Sequence, residues 1–329
     1  MTMPKVKLLD GSFSRQLSTH VGEPIDGDPL WTAKFLATQP DAILATHLDF
    51  LRAGCDIIET NTYQASVTGF VKYLNISEEE SIVLIKSAAT LAKKAVQIYK
   101  EETKDIDVPN KNPLIAGSCG PYGAALHDNS EYTGNYGKVV SASTLANWHR
   151  TRMKALIESG VDLLALETIP CWEEGDALVN LLKEFPTTKA WLSFSCRTDG
   201  KNLAEGDDFK TAALRMYRNA LPGQLIAVGV NCIAPKYITP LITGINSESG
   251  TAEEFVPLVI YANSGEKYIP EEGCWKMMED SFPPENYVQE WLDLGVRYVG
   301  GCCRTQVSNL KNIRAEIESW LLTSKNKIN

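Results

Sequence analysis

Residues 161–170 read VDLLALETIP, and residues 225–232 read LIAVGVNC. Both are apolar almost throughout, and each carries an acid, an amide or a thiol at or near its C-terminal end. A strand with one wet face alternates apolar and polar residues. A run without alternation suits a strand buried on both faces, as in a parallel sheet. Six further runs have the same form: VKLLDG (6–11), CDIIETNTY (55–63), LIAGSCG (114–120), KAWLSFSC (189–196), FVPLVIYANSG (255–265) and VRYVGGCC (296–303). The eight recur at a mean period of about 41 residues, room for one strand and one helix each.

Helical patterns fill the intervals. Ser77 and Glu80 have capping-box spacing, and Ile82, Ile85, Ala89, Ala92, Val96 and Tyr99 then share one face. Val307, Leu310, Ile313, Ile317 and Trp320 repeat the pattern near the end. Eight strand–helix units predict an α/β chain folded as a single (β/α)8 barrel over residues 1–329, with a doubly wound sheet plus an accessory domain as the other architecture. No Pro/Ser-rich linker divides the chain. The longest irregular stretch is GPYGAALHDNSEYTGNYG (120–137), and a loop of that length in a compact domain is commonly functional.

Composition narrows the function classes. The chain has 329 residues with 32 Lys+Arg against 41 Asp+Glu, a net charge of −9. That balance argues against nucleic acid as partner, because phosphate binding needs clustered Lys and Arg. No apolar leader opens the chain, and no run is long enough to span a bilayer. The expectation is a cytoplasmic monomer acting on small molecules, with reduced cysteines.

A barrel carries its reactive residues at the C-terminal ends of its strands. Those ends hold Asp10, Glu59, Asn61, Cys119, Glu167, Cys196, Asn231, Cys232, Asn263, Glu266, Cys302 and Cys303. Of the eight cysteines, Cys55, Cys119, Cys171, Cys196 and Cys274 are scattered singly and read as small buried hydrophobes. Cys302 and Cys303 differ. Adjacent strand residues point to opposite faces, so both aim at one point only where the backbone leaves the pleat, which Gly300 and Gly301 permit. With Cys232 they form either an open Cys₃ zinc site with a free fourth position, or a group of ordinary buried or redox thiols. The four histidines, His20, His47, His127 and His149, lie away from the strand ends and read as surface or helix residues. No phosphate loop is present.

The stretches LLDGSFSRQL (8–17), DIIETNTYQAS (56–66), GSCGPYGA (117–124), ETIP (167–170), SFSC (193–196), GVNC (229–232), YANSGE (261–266) and GGCCRT (300–305) resemble the homocysteine S-methyltransferase family, in family order and over nearly the whole chain. The resemblance implies Zn²⁺ held by Cys232, Cys302 and Cys303. It implies that Glu167 binds the α-ammonium of homocysteine, with Asp10 assisting. The substrate carboxylate would meet main-chain N–H groups from Gly11 through Ser12 to Phe13, although Ser14 and Arg15 depart from the small residue or Thr common in the family. Asn231 would orient a ligand or merely form a turn. Thr60, Asn61 and Tyr63 would line the mouth, Tyr122 and the 120–137 loop would cover it, and Asn263, Ser264 and Glu266 would touch substrate.

The implied reaction is methyl transfer to a thiol. A free thiol is mostly protonated at pH 7, and only the thiolate is nucleophilic. Zn²⁺ deprotonates a coordinated thiol, and three further thiolates keep that sulfur electron-rich. The short C-terminal end favours the branch that uses the sulfonium donors S-methylmethionine and S-adenosylmethionine. A betaine donor, a selenocysteine or selenohomocysteine acceptor, and a non-catalytic barrel with structural zinc are the other readings. A Schiff-base barrel is disfavoured because no run ends in Lys.

Overall fold

The structure, a computed structural model, describes residues 5–23, 25–246, 255–269 and 274–328. Eight parallel strands form one sheet: β1 (Lys7–Leu8), β2 (Ile57–Glu59), β3 (Leu114–Cys119), β4 (Leu163–Ile169), β5 (Ala190–Phe194), β6 (Leu225–Asn231), β7 (Leu258–Ala262) and β10 (Val296–Gly301). Their order is β1-β10-β7-β6-β5-β4-β3-β2, so chain neighbours are sheet neighbours all the way round. Each coincides with one of the eight apolar runs. The remaining strands, β8 (Lys267–Ile269) and β9 (Cys274–Lys276), pair antiparallel as a separate hairpin after β7.

The barrel closes between β1 and β2, and side chains do much of the closing. The main chain supplies one bond there, Asp56 N–H to Leu8 C=O at 2.7 Å. Two carboxylates supply the rest. Asp56 accepts from Leu8 N–H, and Asp10 accepts from Glu59 N–H, each at 2.8 Å. With β1 only two residues long, these bridges extend the ladder past its ends.

Two cores follow from burial on both faces of the sheet. Inside the barrel, Trp191, Tyr261 and Tyr298 pack against Ala116, Ala165 and Ala227, large against small, which fills the lumen. Outside, Leu, Ile, Val and Ala side chains of the strands meet the helices. The helix Glu78–Glu102 begins with the capping box expected at Ser77 and Glu80 and buries Ile85, Ala89, Ala92, Val96 and Tyr99. No described helix is long and apolar enough to cross a membrane.

His47 and His149 stand on helices, as expected, but neither is at the surface. Their helices turn them inward. His47 packs edge-on against Phe13 with ring centroids 5.1 Å apart. Burial without a hydrogen-bond partner pushes its pKa down to about 3. Cys55, Cys119 and Cys171 are buried fillers, whereas Cys196 and Cys274 are partly exposed.

Candidate active site

At the C-terminal mouth of the barrel lies a cavity of about 680 Å³, part of it open to solvent. Cys232, Cys302 and Cys303 meet in its wall, with their Sγ atoms all within 4.8 Å of one another. Cys232 Sγ and Cys303 Sγ are 3.2 Å apart. Cys232 follows the last residue of β6 and takes a left-handed backbone, φ 55°. Cys302 and Cys303 lie just past β10, in a turn closed by Thr305 N–H to Cys302 C=O at 3.0 Å.

That turn corrects the expected role of the paired glycines. Neither Gly300 nor Gly301 has a positive φ; the left-handed residue is Arg304, φ 65°. The glycines are there for space. A Cβ on Gly301 would stand 2.2 Å from Thr305 Oγ1, and one on Gly300 would stand 2.6 Å from Leu9 Cβ. Their absence of side chain lets the turn fold back on the strand.

The three thiols are electrostatically unequal. Cys232 shares its sulfur contacts with Cys302 and Cys303 and faces the Tyr132 hydroxyl at 3.2 Å, which together hold its thiol well below the ordinary value. The same contacts push Cys302 and Cys303 up. The donor set fits a soft divalent ion: three convergent cysteines with space on the cavity side. A second grouping, Cys171, Glu173 and Glu205, lies apart, and Lys138 already pairs with Glu205 at 2.9 Å.

Beneath the thiols sit three acids, Asp10, Glu59 and Glu167, all lining the cavity. Burial is the main reason that each carboxyl lies above its usual range. Asp10 and Glu59 are raised further by the charge of Glu167, while Ser118 and Tyr261 hydroxyls partly offset the rise at Glu167. No Lys, Arg or His lines the cavity among the described residues. Three acids with no counter-charge in the cavity lining suit a cationic ligand.

Asn231 ties the two halves together. Its Oδ1 accepts from Thr168 N–H and Ser193 Oγ, both at 2.9 Å, and its Nδ2 donates to Thr168 Oγ1 at 2.7 Å. Thr168 follows Glu167 and has φ 59°. Asn231 therefore holds a strained backbone beside the acid while preceding Cys232 in the chain.

Gly11, Ser12, Phe13, Thr60, Asn61 and Tyr63 line the cavity as the sequence suggests. The Ser12 amide, however, donates to Thr305 Oγ1 at 3.2 Å, so a substrate carboxylate would compete for it. Asn263 and Glu266 lie outside the lining. Glu266 turns instead to Arg304 Nε at 2.7 Å and to Ser264 Oγ at 2.9 Å. Tyr122 also points elsewhere, packing on Tyr136 and Trp148. The loop residue over the cavity is Tyr132. Trp31, Thr32, Ser118, Thr168 and Tyr261 line it too, and strand-end reasoning missed them. Trp31 and Tyr132 come from connecting segments, where periodicity carries no signal. Tyr261 lies inside β7, one residue before its end.

The sequence profile described as homocysteine S-methyltransferase matches residues 7–317. Betaine-homocysteine S-methyltransferase of Drosophila melanogaster is 45% identical over 94% of this chain and 93% of its own. Homocysteine S-methyltransferase YbgG of Bacillus subtilis is 38% identical, covering 96% of each chain. Among solved structures, the metallated form of the homocysteine methyltransferase MmuM from Escherichia coli superposes with a TM-score of 0.79 at 34% identity, over 94% of this chain and 96% of that one.

Proposed function

The chain belongs to the homocysteine S-methyltransferase family, and from that premise we propose that it transfers a methyl group from a sulfonium donor to homocysteine at a zinc site held by Cys232, Cys302 and Cys303. The observation that carries this reading is the convergence of three thiols over three uncompensated buried acids in one cavity. Zn²⁺ bound there would lower the pKa of the acceptor thiol and present it as thiolate.

The protein's own groups do the rest. Glu167, with Asp10 beside it, receives the α-ammonium and so fixes one end of homocysteine; Ser118 Oγ orients the Glu167 carboxylate. Phe13, Trp31, Tyr63 and Tyr132 wall the cavity. Their ring faces attract a cationic donor without hydrogen-bonding it. The methyl–sulfur bond of the donor breaks as the new carbon–sulfur bond forms, and a cation and a thiolate become two neutral thioethers. Charge disappears in that step, so apolar ring walls favour it over bulk water. The spent donor has lost its sulfonium charge, and with it the attraction of the ring faces, which favours its release.

Betaine is the second reading, favoured by the relative from Drosophila melanogaster. That relative is matched over nearly its whole length, so chain length does not separate the donor classes. A quaternary ammonium suits the same aromatic, anionic walls.

Zinc-loaded protein given homocysteine and S-methylmethionine should form methionine. Metal analysis should find about one zinc per chain, with Cys232→Ser removing it and lowering turnover by roughly a thousand-fold, the several kcal/mol that metal activation supplies. Failure to form methionine with sulfonium and betaine donors alike would sink the enzyme reading.

A further inference from the structure

The mechanism leaves one acid of the cavity without a task. Glu59 ends β2 and lines the cavity together with Asp10 and Glu167. Its main chain fixes its place, because Glu59 N–H donates to Asp10 Oδ2 at 2.8 Å. The residue is half-buried, and the side chain it meets in a hydrogen bond is that of Glu167.

A hydrogen bond between two carboxyl groups contains a proton, because two carboxylates offer only acceptors. Two bare carboxylates in contact also repel, so such a pair retains one proton between them. The surroundings decide which acid carries it. Glu167 accepts from Ser118 Oγ and faces the Tyr261 hydroxyl, and donors of this kind favour the ionised form. Glu59 has no such donor among the described residues. The groups that act on it are the charges of Glu167, on β4, and of Asp10, just after β1. The Tyr261 hydroxyl, on β7, faces the same acids, and no Lys, Arg or His lines the cavity among the described residues. The proton therefore belongs on Glu59. Electrostatics point the same way: burial and then those two charges push Glu59 up, whereas the contact with Glu59 offsets part of the rise that burial gives Glu167.

We propose that Glu59 works as a neutral carboxylic acid, donating to Glu167 so that Glu167 stays ionised and aimed at the homocysteine ammonium. Glu59 is thus a positioning residue, and the inference rests on the methyl-transfer reading, in which Glu167 takes that ammonium. The retained proton also limits the charge of the floor to that of Asp10 and Glu167. One ammonium matches that floor better than it would match three bare carboxylates.

Infrared spectroscopy reads the proton directly, because a protonated carboxyl has a carbonyl stretch that carboxylates and amides lack. The spectrum of zinc-loaded wild type minus that of Glu59→Gln at pH 7 should contain the stretch of a protonated acid. Carboxylate bands in its place overturn the proposal. Calorimetric binding of homocysteine tests the role. Glu59→Ala should bind about ten-fold more weakly, the loss of one hydrogen bond to a charged group. Glu59→Gln, whose amide N–H donates from the same place, should recover most of that loss. Unchanged affinity in Glu59→Ala, or equally weak binding by Glu59→Gln, overturns the proposal. Where Glu59→Ala does not fold, the infrared difference decides. Neither measurement uses a methyl donor, so an adverse result leaves methyl transfer standing. No binding of homocysteine by wild type would overturn both readings at once.

Discussion

Glu167 and Glu174 are seven residues apart, both buried, and they show opposite uses of a buried acid. Glu174 sits on the helix Trp172–Leu182, outside the barrel, in a finished network. Its carboxylate accepts from Tyr122 N–H at 2.6 Å, from His149 Nε2 at 2.7 Å and from the Tyr136 hydroxyl. Burial lowers the His149 pKa against the opposing pull of Glu174. Arg152 can only donate and faces Nδ1, so the proton of the ring belongs on Nε2, toward Glu174. Its Nδ1 then accepts from Arg152 at 3.0 Å, and Arg152 donates onward to Gly120 C=O and Tyr63 C=O. The Glu174 carboxylate thus has three donors, and Arg152 has three acceptors with only its Nε left over. Glu167 has hydroxyls, two more acids, and no cation lining the cavity. A network completed by the fold stabilises the fold. One left incomplete marks the place of a ligand.

Three experiments press on that contrast. Glu174→Ala strips partners from a buried imidazole, a buried phenol and an amide at once. It should cost about 3–5 kcal/mol in chemical denaturation; a loss under 1 kcal/mol would break the claim that this network is structural. Glu167→Gln should do the reverse. Ligand-free stability should hold or rise, because one of three uncompensated acids is gone. The KM for homocysteine should rise roughly a hundred-fold, the 2–3 kcal/mol of a charged hydrogen bond. A destabilised Glu167→Gln with normal KM would reverse the assignment.

The smallest effect is in pH. The Glu167 carboxyl is raised in the folded state, chiefly by burial. Its contribution to stability is therefore fully present below the ordinary carboxyl value and is lost as pH rises through the folded value. His149 runs the other way: its folded pKa is depressed, so its contribution is present above the ordinary imidazole value and is lost on acidification. The stability of Glu167→Gln minus that of ligand-free wild type should thus grow as pH rises above about 4.5, with a slope of at most about 1.4 kcal/mol per pH unit. A flat difference would mean that Glu167 is already satisfied.

Much of this was legible in the sequence. Eight apolar runs announced eight strands because burial on both faces suppresses alternation, and the strand-end rule put Asp10, Glu59, Glu167, Cys232, Cys302 and Cys303 at one mouth. The cavity wall was less legible. Trp31 and Tyr132 belong to connections, whose course is set by tertiary packing and not by a local period. Glu266 and Asn263 carry the right chemistry at the right strand end, yet the chain turns after β7 and gives Glu266 to Arg304. His149 misled because a polar residue on an amphipathic helix looks solvated until Glu174 and Arg152 arrive from 25 residues downstream and three residues along the same helix.

The seam between β1 and β2 has a mechanical meaning. A barrel is a hoop, and this hoop is fastened at one point by a clasp made of side chains. Half of that clasp is Asp10, which also faces the cavity. Any cation that settles against Asp10 draws on the same carboxylate that holds Glu59 in place. Filling the mouth and fastening the barrel therefore draw on one side chain, at the joint where the main chain contributes least.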